Sequence, residues 1–216
     1  DGIMIMYHES VEDKVMEVFD EWQQRSRIRL EYDRIKSVHQ KDVNNYLIEM
    51  ENGKVKVKGG FLNTYGGRSL VNGSMVAVSK AIAQFFIDGT PPMDTLKKST
   101  DVLDFQIIAK SGGGYKETYW DNNGVMVPVN KVNRVYASKD KKHGRVYKVK
   151  SGGSPEKIAS LPDHCVIDNE SKLTLDKIDL SWYNEIAIKR IAQFIGKDKG
   201  GLNMSVLPSI AERKSY

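Results

Sequence analysis

The sequence predicts an α+β fold. Apolar residues recur at helical spacing over residues 10–25, 74–88 and 181–195. Between these stretches lie β-rich segments broken by Gly, Asn and Pro. Helices and hairpins are intermixed without a regular strand–helix alternation, which selects α+β over a parallel α/β sheet.

The first apolar run, residues 3–8 (IMIMYH), reads as a buried strand. Ser10 opens a weak capping box, and Val11, Val15, Val18, Phe19 and Trp22 follow at helical spacing, so residues 10–25 read as an amphipathic helix with a core-facing Trp22. Residues 28–50 are rich in β-formers and lead into Asn52-Gly53, a strong hairpin turn signal. A two-residue turn there sets Glu51 opposite Lys54 and Glu49 opposite Lys56, with Met50 opposite Val55 and Ile48 opposite Val57. One face is then charge-paired and the other apolar.

Residues 60–73 are Gly-rich and read as a loop. The apolar helix over 74–88 stops at Gly89 and Pro91-Pro92, and a short helix follows over 92–99. Residues 101–120 are ambiguous, with the Gly112–Gly114 run marking a break. Strands are expected at 125–128, 131–138 and 144–150, the last two flanking a basic turn, and residues 151–155 form a loop. The final helix, 181–195, ends at Gly196 before a polar tail.

Composition narrows the function classes. At 216 residues the chain can build a real core, and its apolar fraction of 40% is that of an ordinary globular protein. No stretch approaches the roughly 20 apolar residues of a membrane span, so no membrane partner is expected. The chain opens on Asp1-Gly2-Ile3 with neither a basic lead nor an initiator Met, which reads as a cut, processed or cloned piece without a signal peptide. A single cysteine, Cys165, excludes an internal disulfide framework and suits a reducing, cytoplasmic setting; it reads as a small core residue. Four scattered histidines and one cysteine do not make a zinc site. The net charge of +5 permits a polyanionic partner and is equally compatible with a basic protein that has none.

No self-sufficient active site is visible. The chain lacks G-x-S-x-G, a P-loop, H-E-x-x-H and any Cys/His cluster. Gly112–Gly114 is not followed by the G-K-S/T that a phosphate loop needs. Asp1, placed before the run Ile3–Tyr7, reads either as a metal-binding carboxylate or as the cut end of the chain.

Two stretches combine cations and aromatics. In the first, Lys41 to Tyr46 precede the hairpin, and Lys58-Gly59-Gly60-Phe61 follow it. Lysines neutralise phosphates, glycines let the main chain approach closely, and tyrosine packs on sugar or base. Lys54 and Lys56 are accounted for by Glu51 and Glu49, which leaves Lys41 and Lys58, with Asn44, Tyr46 and Gly59, as candidate nucleic-acid contacts; the alternative is a solvated strand face. The second stretch, 131–150, interleaves Lys and Arg with Tyr136 and Tyr147 around a tip carrying Lys139, Lys141 and Lys142. It reads as a nucleic-acid surface or as a solubilising hairpin.

The order of these features resembles the C-terminal end of family B DNA polymerases. Asp1-Gly2-Ile3-Met4-Ile5 is similar to the second half of the T-D-S/G-I element that ends the palm. Leu30-Glu31-Tyr32-Asp33 is similar to the family's L-E-x-E/D strand. Lys41 to Tyr46, the Asn52-Gly53-Lys54 turn and Lys58-Gly59 resemble the K-x-Y element, with divergent phage-type members the most similar. The match spans residues 1–61.

The resemblance implies the end of a palm β-sheet with its packed helix over 1–68, and a mixed helical and β-hairpin thumb over 69–216. It implies that Asp1 is a catalytic aspartate holding Mg²⁺ together with palm carboxylates this chain lacks. It also implies that Lys41, Tyr46 and Lys58 hold primer-template DNA at the palm–thumb junction. The other palm carboxylates and the fingers lysines are absent, so the chain is not expected to polymerise alone: it acts with an N-terminal polymerase chain if the enzyme is naturally split, or it is a degradation product or cloned piece, in the cytoplasm of a bacterial host if phage-encoded. The rival expectations are a non-catalytic nucleic-acid-binding or processivity module, and an interaction protein with no nucleic-acid role.

Overall fold

The computed structural model describes residues 3–69 and 72–196. The chain divides into two compact units, Asp1–Ile35 and Lys36–Tyr216.

In the first unit a short 3-10 turn, Glu9–Val11, runs into α1 (Glu12–Ser26). The His8 ring accepts the Ser10 N–H at 3.2 Å, and Glu12 and Asp13 place negative charge at the positive end of the helix dipole. The helix stops at Arg27, which turns left-handed at φ 57° and returns its N–H to the Gln23 carbonyl. Gln23 then ties down the following segment: it accepts the Leu30 N–H at 2.8 Å and donates to the Tyr32 hydroxyl at 3.0 Å.

Two expectations fail in this unit. Residues 3–8 form no strand; Ile3 and Met6 are 90% and 99% exposed. A strand needs a neighbour for its N–H and C=O groups, and no sheet of the described residues takes this segment in. Trp22 is 45% exposed and lies outside any core, because α1 buries none of its residues.

The second unit holds antiparallel sheets and helices around one core. β1 (Ile35–Asp42), β2 (Asn45–Met50) and β3 (Val55–Lys58) form a sheet in that order. α2 (Val76–Asp88) and α3 (Pro92–Lys98) follow. Gly89, left-handed at φ 81°, closes α2 by donating to the Phe85 carbonyl, and the prolines start α3.

The ambiguous region resolves into a 3-10 turn, Val102–Phe105, then β4 (Ile107–Lys110) and β5 (Glu117–Asn122). β6 (Val125–Val129), β7 (Val132–Ala137), β8 (His143–Val149), β9 (Glu156–Lys157) and β10 (Cys165–Ile167) complete the strands, and α4 (Leu180–Phe194) closes the described chain. β10-β7-β4 form one sheet and β6-β5-β8-β9 another. The helices pack on one another, with α2 also against β2 and α4 against β7. Leu47, Leu62, Ile82, Phe105, Tyr136, Tyr183 and Ile191 join in the shared core.

The β2–β3 hairpin forms, one residue out of the expected register. Leu47 faces Val57 and Glu49 faces Val55, while Tyr46 faces Lys58. The turn is a three-residue loop. Gly53 donates to the Met50 carbonyl at 3.0 Å, Met50 donates to the Lys54 carbonyl at 2.9 Å, and Gly53 alone takes a positive φ, 79°. Glu49 is therefore on the buried face, 7% exposed, and its charge is met from β1 by Lys36 at 2.7 Å and Ser37 at 3.2 Å.

The hairpin expected over 131–150 does not form. β7 pairs with β4 and β10, and β8 with β5 and β9, so residues 139–142 cross between sheets. The true neighbouring hairpin is β5–β6, closed by Asn123-Gly124 with both φ values positive, 56° and 81°. β8 lies on the other edge of β5, where Gly144 admits the Asp121 carboxylate; a Cβ there would sit 2.3 Å from Oδ2. Cys165 is fully buried, as expected, and donates to the Pro162 carbonyl.

Candidate nucleic-acid interface

The expected contacts of the first basic stretch collect at one end of the β1-β2-β3 sheet. The chain leaves β1 at Asp42, turns through Val43 and Asn44, and enters β2 at Asn45. Asp42 organises this turn. Its Oδ1 accepts the Asn44 N–H and the Asn45 side-chain amide, each at 2.9 Å. The Asn45 amide first, then the Asn44 N–H, hold the Asp42 carboxyl below the usual carboxylate range.

Gly59 locks the other side of the junction. It follows Lys58, the last residue of β3, with φ +106°. A Cβ on Gly59 would stand 2.1 Å from Asn45 Oδ1 and 2.7 Å from the Asn44 carbonyl oxygen. Only glycine lets these two stretches pack this closely. The Tyr46–Lys58 cross-strand pair lies beside this contact. Lys58 is exposed, and among the described residues no carboxylate pairs with it.

From Gly59 the chain turns again, with Leu62 donating to the Gly59 carbonyl at 3.0 Å. This turn presents Phe61, whose carbonyl accepts from the Ser79 hydroxyl of α2 at 3.0 Å. Two cations lie on the Phe61 ring: Lys41 Nζ at 5.3 Å from its centre and Arg190 Cζ of α4 at 5.0 Å. The Phe194 ring is its apolar neighbour at 6.2 Å. Lys41 reaches one carboxylate, Asp42, at the long distance of 3.9 Å. Burial holds the Arg190 guanidinium below its ordinary range.

Lys41, Asn44, Tyr46, Lys58 and Gly59 are thus parts of one junction. Lys139, Lys141 and Lys142 belong to the crossing between β7 and β8. Two of these have internal duties: Lys139 Nζ donates to the Asp176 carbonyl at 2.9 Å, and Lys141 pairs with Asp179 at 3.4 Å. Lys142 is exposed. Asp1 lies outside the described residues. Among the described residues no group of three or more His, Cys, Asp or Glu gathers as metal ligands would.

Sequence reasoning passed over Arg190. The signal is there in α4, where Tyr183, Ala187, Ile191 and Phe194 mark the buried face at helical spacing. Arg190 falls between them, a charged residue on an apolar stripe. Phe61 was legible only as an aromatic beside glycines.

No family model, no curated protein and no solved structure matches the chain. Among the described residues no helix is long and apolar enough to cross a membrane.

Proposed function

We propose that this chain is the duplex-gripping C-terminal part of a divergent, phage-type family B DNA polymerase, comprising the end of the palm and the thumb. The observation that carries the reading is the Gly59 junction. It brings Lys41, Tyr46 and Lys58 together around a close main-chain contact that tolerates no side chain. Those are the residues for which the family resemblance implies a hold on the primer-template.

The chemistry is positional. Lys41 and Lys58 supply cations for backbone phosphates, and Tyr46 supplies a ring that packs without reading sequence. Binding is therefore salt-sensitive and indifferent to base sequence. Asp1 contributes one carboxylate toward Mg²⁺, and the remaining ligands belong to the rest of the palm and the fingers, polypeptide that this sequence does not include. The exposed apolar side chains Ile3, Met6, Val18 and Ile28 of the first unit suit burial against such a polypeptide. The setting is the cytoplasm of a bacterial host.

Fluorescence anisotropy on labelled duplexes of unrelated sequence tests the grip. Lys41→Ala and Lys58→Ala are each expected to weaken binding by similar factors on every sequence. Duplex affinity unchanged by both removes the junction assignment. Primer extension with the complementing polypeptide and Mg²⁺ tests the enzyme reading, and extension should be lost with Asp1→Ala. Duplex binding without any contribution to extension would instead identify a non-catalytic binding module.

A further inference from the structure

Arg190 has no role in the fold that accounts for its chemistry. A guanidinium offers five N–H donors, and among the described residues none of them meets an oxygen acceptor. Among the described residues its charged end meets the Phe61 ring, with Cζ 5.0 Å from the ring centre, a contact that supplies no oxygen acceptor for the donors. Among the described residues no carboxylate offsets its burial, which lowers its pKa.

Lys41 shares the same ring. Its carboxylate neighbour Asp42 is already engaged by the Asn44 N–H and the Asn45 amide. Two cations drawn to one aromatic ring repel each other, and an anion reaching both relieves that repulsion.

We infer that Arg190 and Lys41, held on the Phe61 ring, form a phosphate clamp that extends the duplex grip from the β1-β2-β3 junction onto α4. The inference rests on the duplex-grip reading above and adds a contact from an element that reading does not use. Arg190 supplies a planar fork suited to two oxygens of one phosphodiester. Lys41 supplies a point charge for the same or the next phosphate of the strand. The Phe61 contact already restricts the Arg190 side chain, so less of its freedom is lost when the anion arrives. A nucleic-acid strand fits better than an acidic peptide, because Lys58 and Tyr46 continue the row with a further cation and a stacking ring.

The test uses the full chain, a labelled duplex and a salt titration, with melting temperatures recorded for every variant. Arg190→Met keeps the apolar stem and removes the charge, so the fold survives. It is expected to weaken duplex binding roughly tenfold and to make the slope of log affinity against log salt shallower by about 0.9. Arg190→Lys is expected to restore the slope and only part of the affinity, because an ammonium lacks the fork.

Wild-type affinity and slope in Arg190→Met, while Lys41→Ala and Lys58→Ala still weaken binding, would overturn the clamp and leave the grip standing. Absence of duplex binding by the wild-type chain at low salt would remove both. Arg190-dependent capture of a polyglutamate peptide, with duplex binding unaffected by Arg190→Met, would transfer the site to an acidic protein partner.

Discussion

Replacing Gly59 with alanine tests the junction at its tightest point. The methyl group faces two separate penalties. The first is conformational: φ +106° lies in the region L-residues avoid, at a cost of about 1–3 kcal/mol. The second is steric. The new carbon would sit 2.1 Å from Asn45 Oδ1 and 2.7 Å from the Asn44 carbonyl oxygen. The Asn45 amide can swing away only by abandoning Asp42, which it meets at 2.9 and 3.0 Å; that loses about 1 kcal/mol per hydrogen bond. The Asn44 oxygen is main chain and moves only with the turn.

Together these give about 3–5 kcal/mol, or a melting-temperature drop of roughly 6–20 °C for a domain of this size. Two other glycines calibrate the result. Gly53 has φ +79° and open space around it, so Gly53→Ala carries strain without a clash and should cost about 1 kcal/mol. Gly60 has neither, so Gly60→Ala should stay within about 0.5 kcal/mol of wild type. Adding Asn45→Ala to Gly59→Ala removes the side-chain clash and leaves the carbonyl one, so recovery should be partial. Denaturant melts measure stability, and duplex anisotropy on the folded variants measures the grip. A Gly59→Ala protein as stable as Gly60→Ala, with native duplex affinity, would refute the idea that this close approach builds the site.

Three further outcomes follow from the core. Tyr183 donates to the Phe105 carbonyl at 2.7 Å and accepts the Ala137 N–H at 3.0 Å, so Tyr183→Phe strands two buried main-chain groups and should cost about 1–3 kcal/mol in a denaturant melt. Burial pushes the Cys165 thiol up to about 12, so its labelling by a thiol reagent should follow the unfolding rate; fast labelling of the native protein would contradict its place in the core. At Asp168, burial alone would raise the carboxyl pKa, but N–H donors from Leu173, Lys172 and Glu170 outweigh it and lower the value. Its stabilisation is then present above the unfolded-state value of about 3.9 and is lost as pH falls through the lower folded-state value. The gap in melting temperature between wild type and Asp168→Asn should close over that acid range, and a gap unchanged down to pH ~2 would rule the assignment out.

The readability of the sequence varied with the range of the deciding interaction. α2 and α4 are visible because each carries its own apolar periodicity and a stop signal, Gly89 and Gly196. The β2–β3 hairpin is visible and its register is not. Asn-Gly closes a three-residue loop at Gly53 but a two-residue turn at Asn123-Gly124. What decides is burial of Leu47 together with Glu49, and a glutamate on the inner face is made tolerable by Lys36 and Ser37, two residues of another strand. β4 and β7 pair across a long stretch of chain, and no local pattern announces that partnership. Residues 3–8 fail for the converse reason: an apolar run becomes a strand only when another strand meets it.

The same distinction separates the two basic regions. At the β1–β2 and β3 ends, cations are mounted on main chain that is itself fixed: Asp42 pins the turn, Gly59 pins the two strand ends together, and Phe61 is anchored through its carbonyl to Ser79. A site held this way meets a phosphate with its geometry already set, so little ordering is lost on binding. The crossing at 139–142 is different. Lys139 and Lys141, though exposed, are engaged by the Asp176 carbonyl and the Asp179 carboxylate, which leaves Lys142 as the one of the three expected contacts whose side chain has no partner among the described residues. Charge count favours the second region, as does its interleaving with tyrosines, but Tyr136 is fully buried in the core. On the proposed duplex grip, preorganisation favours the junction, and substitutions at 139–142 should shift affinity less than the single methyl group of Gly59→Ala.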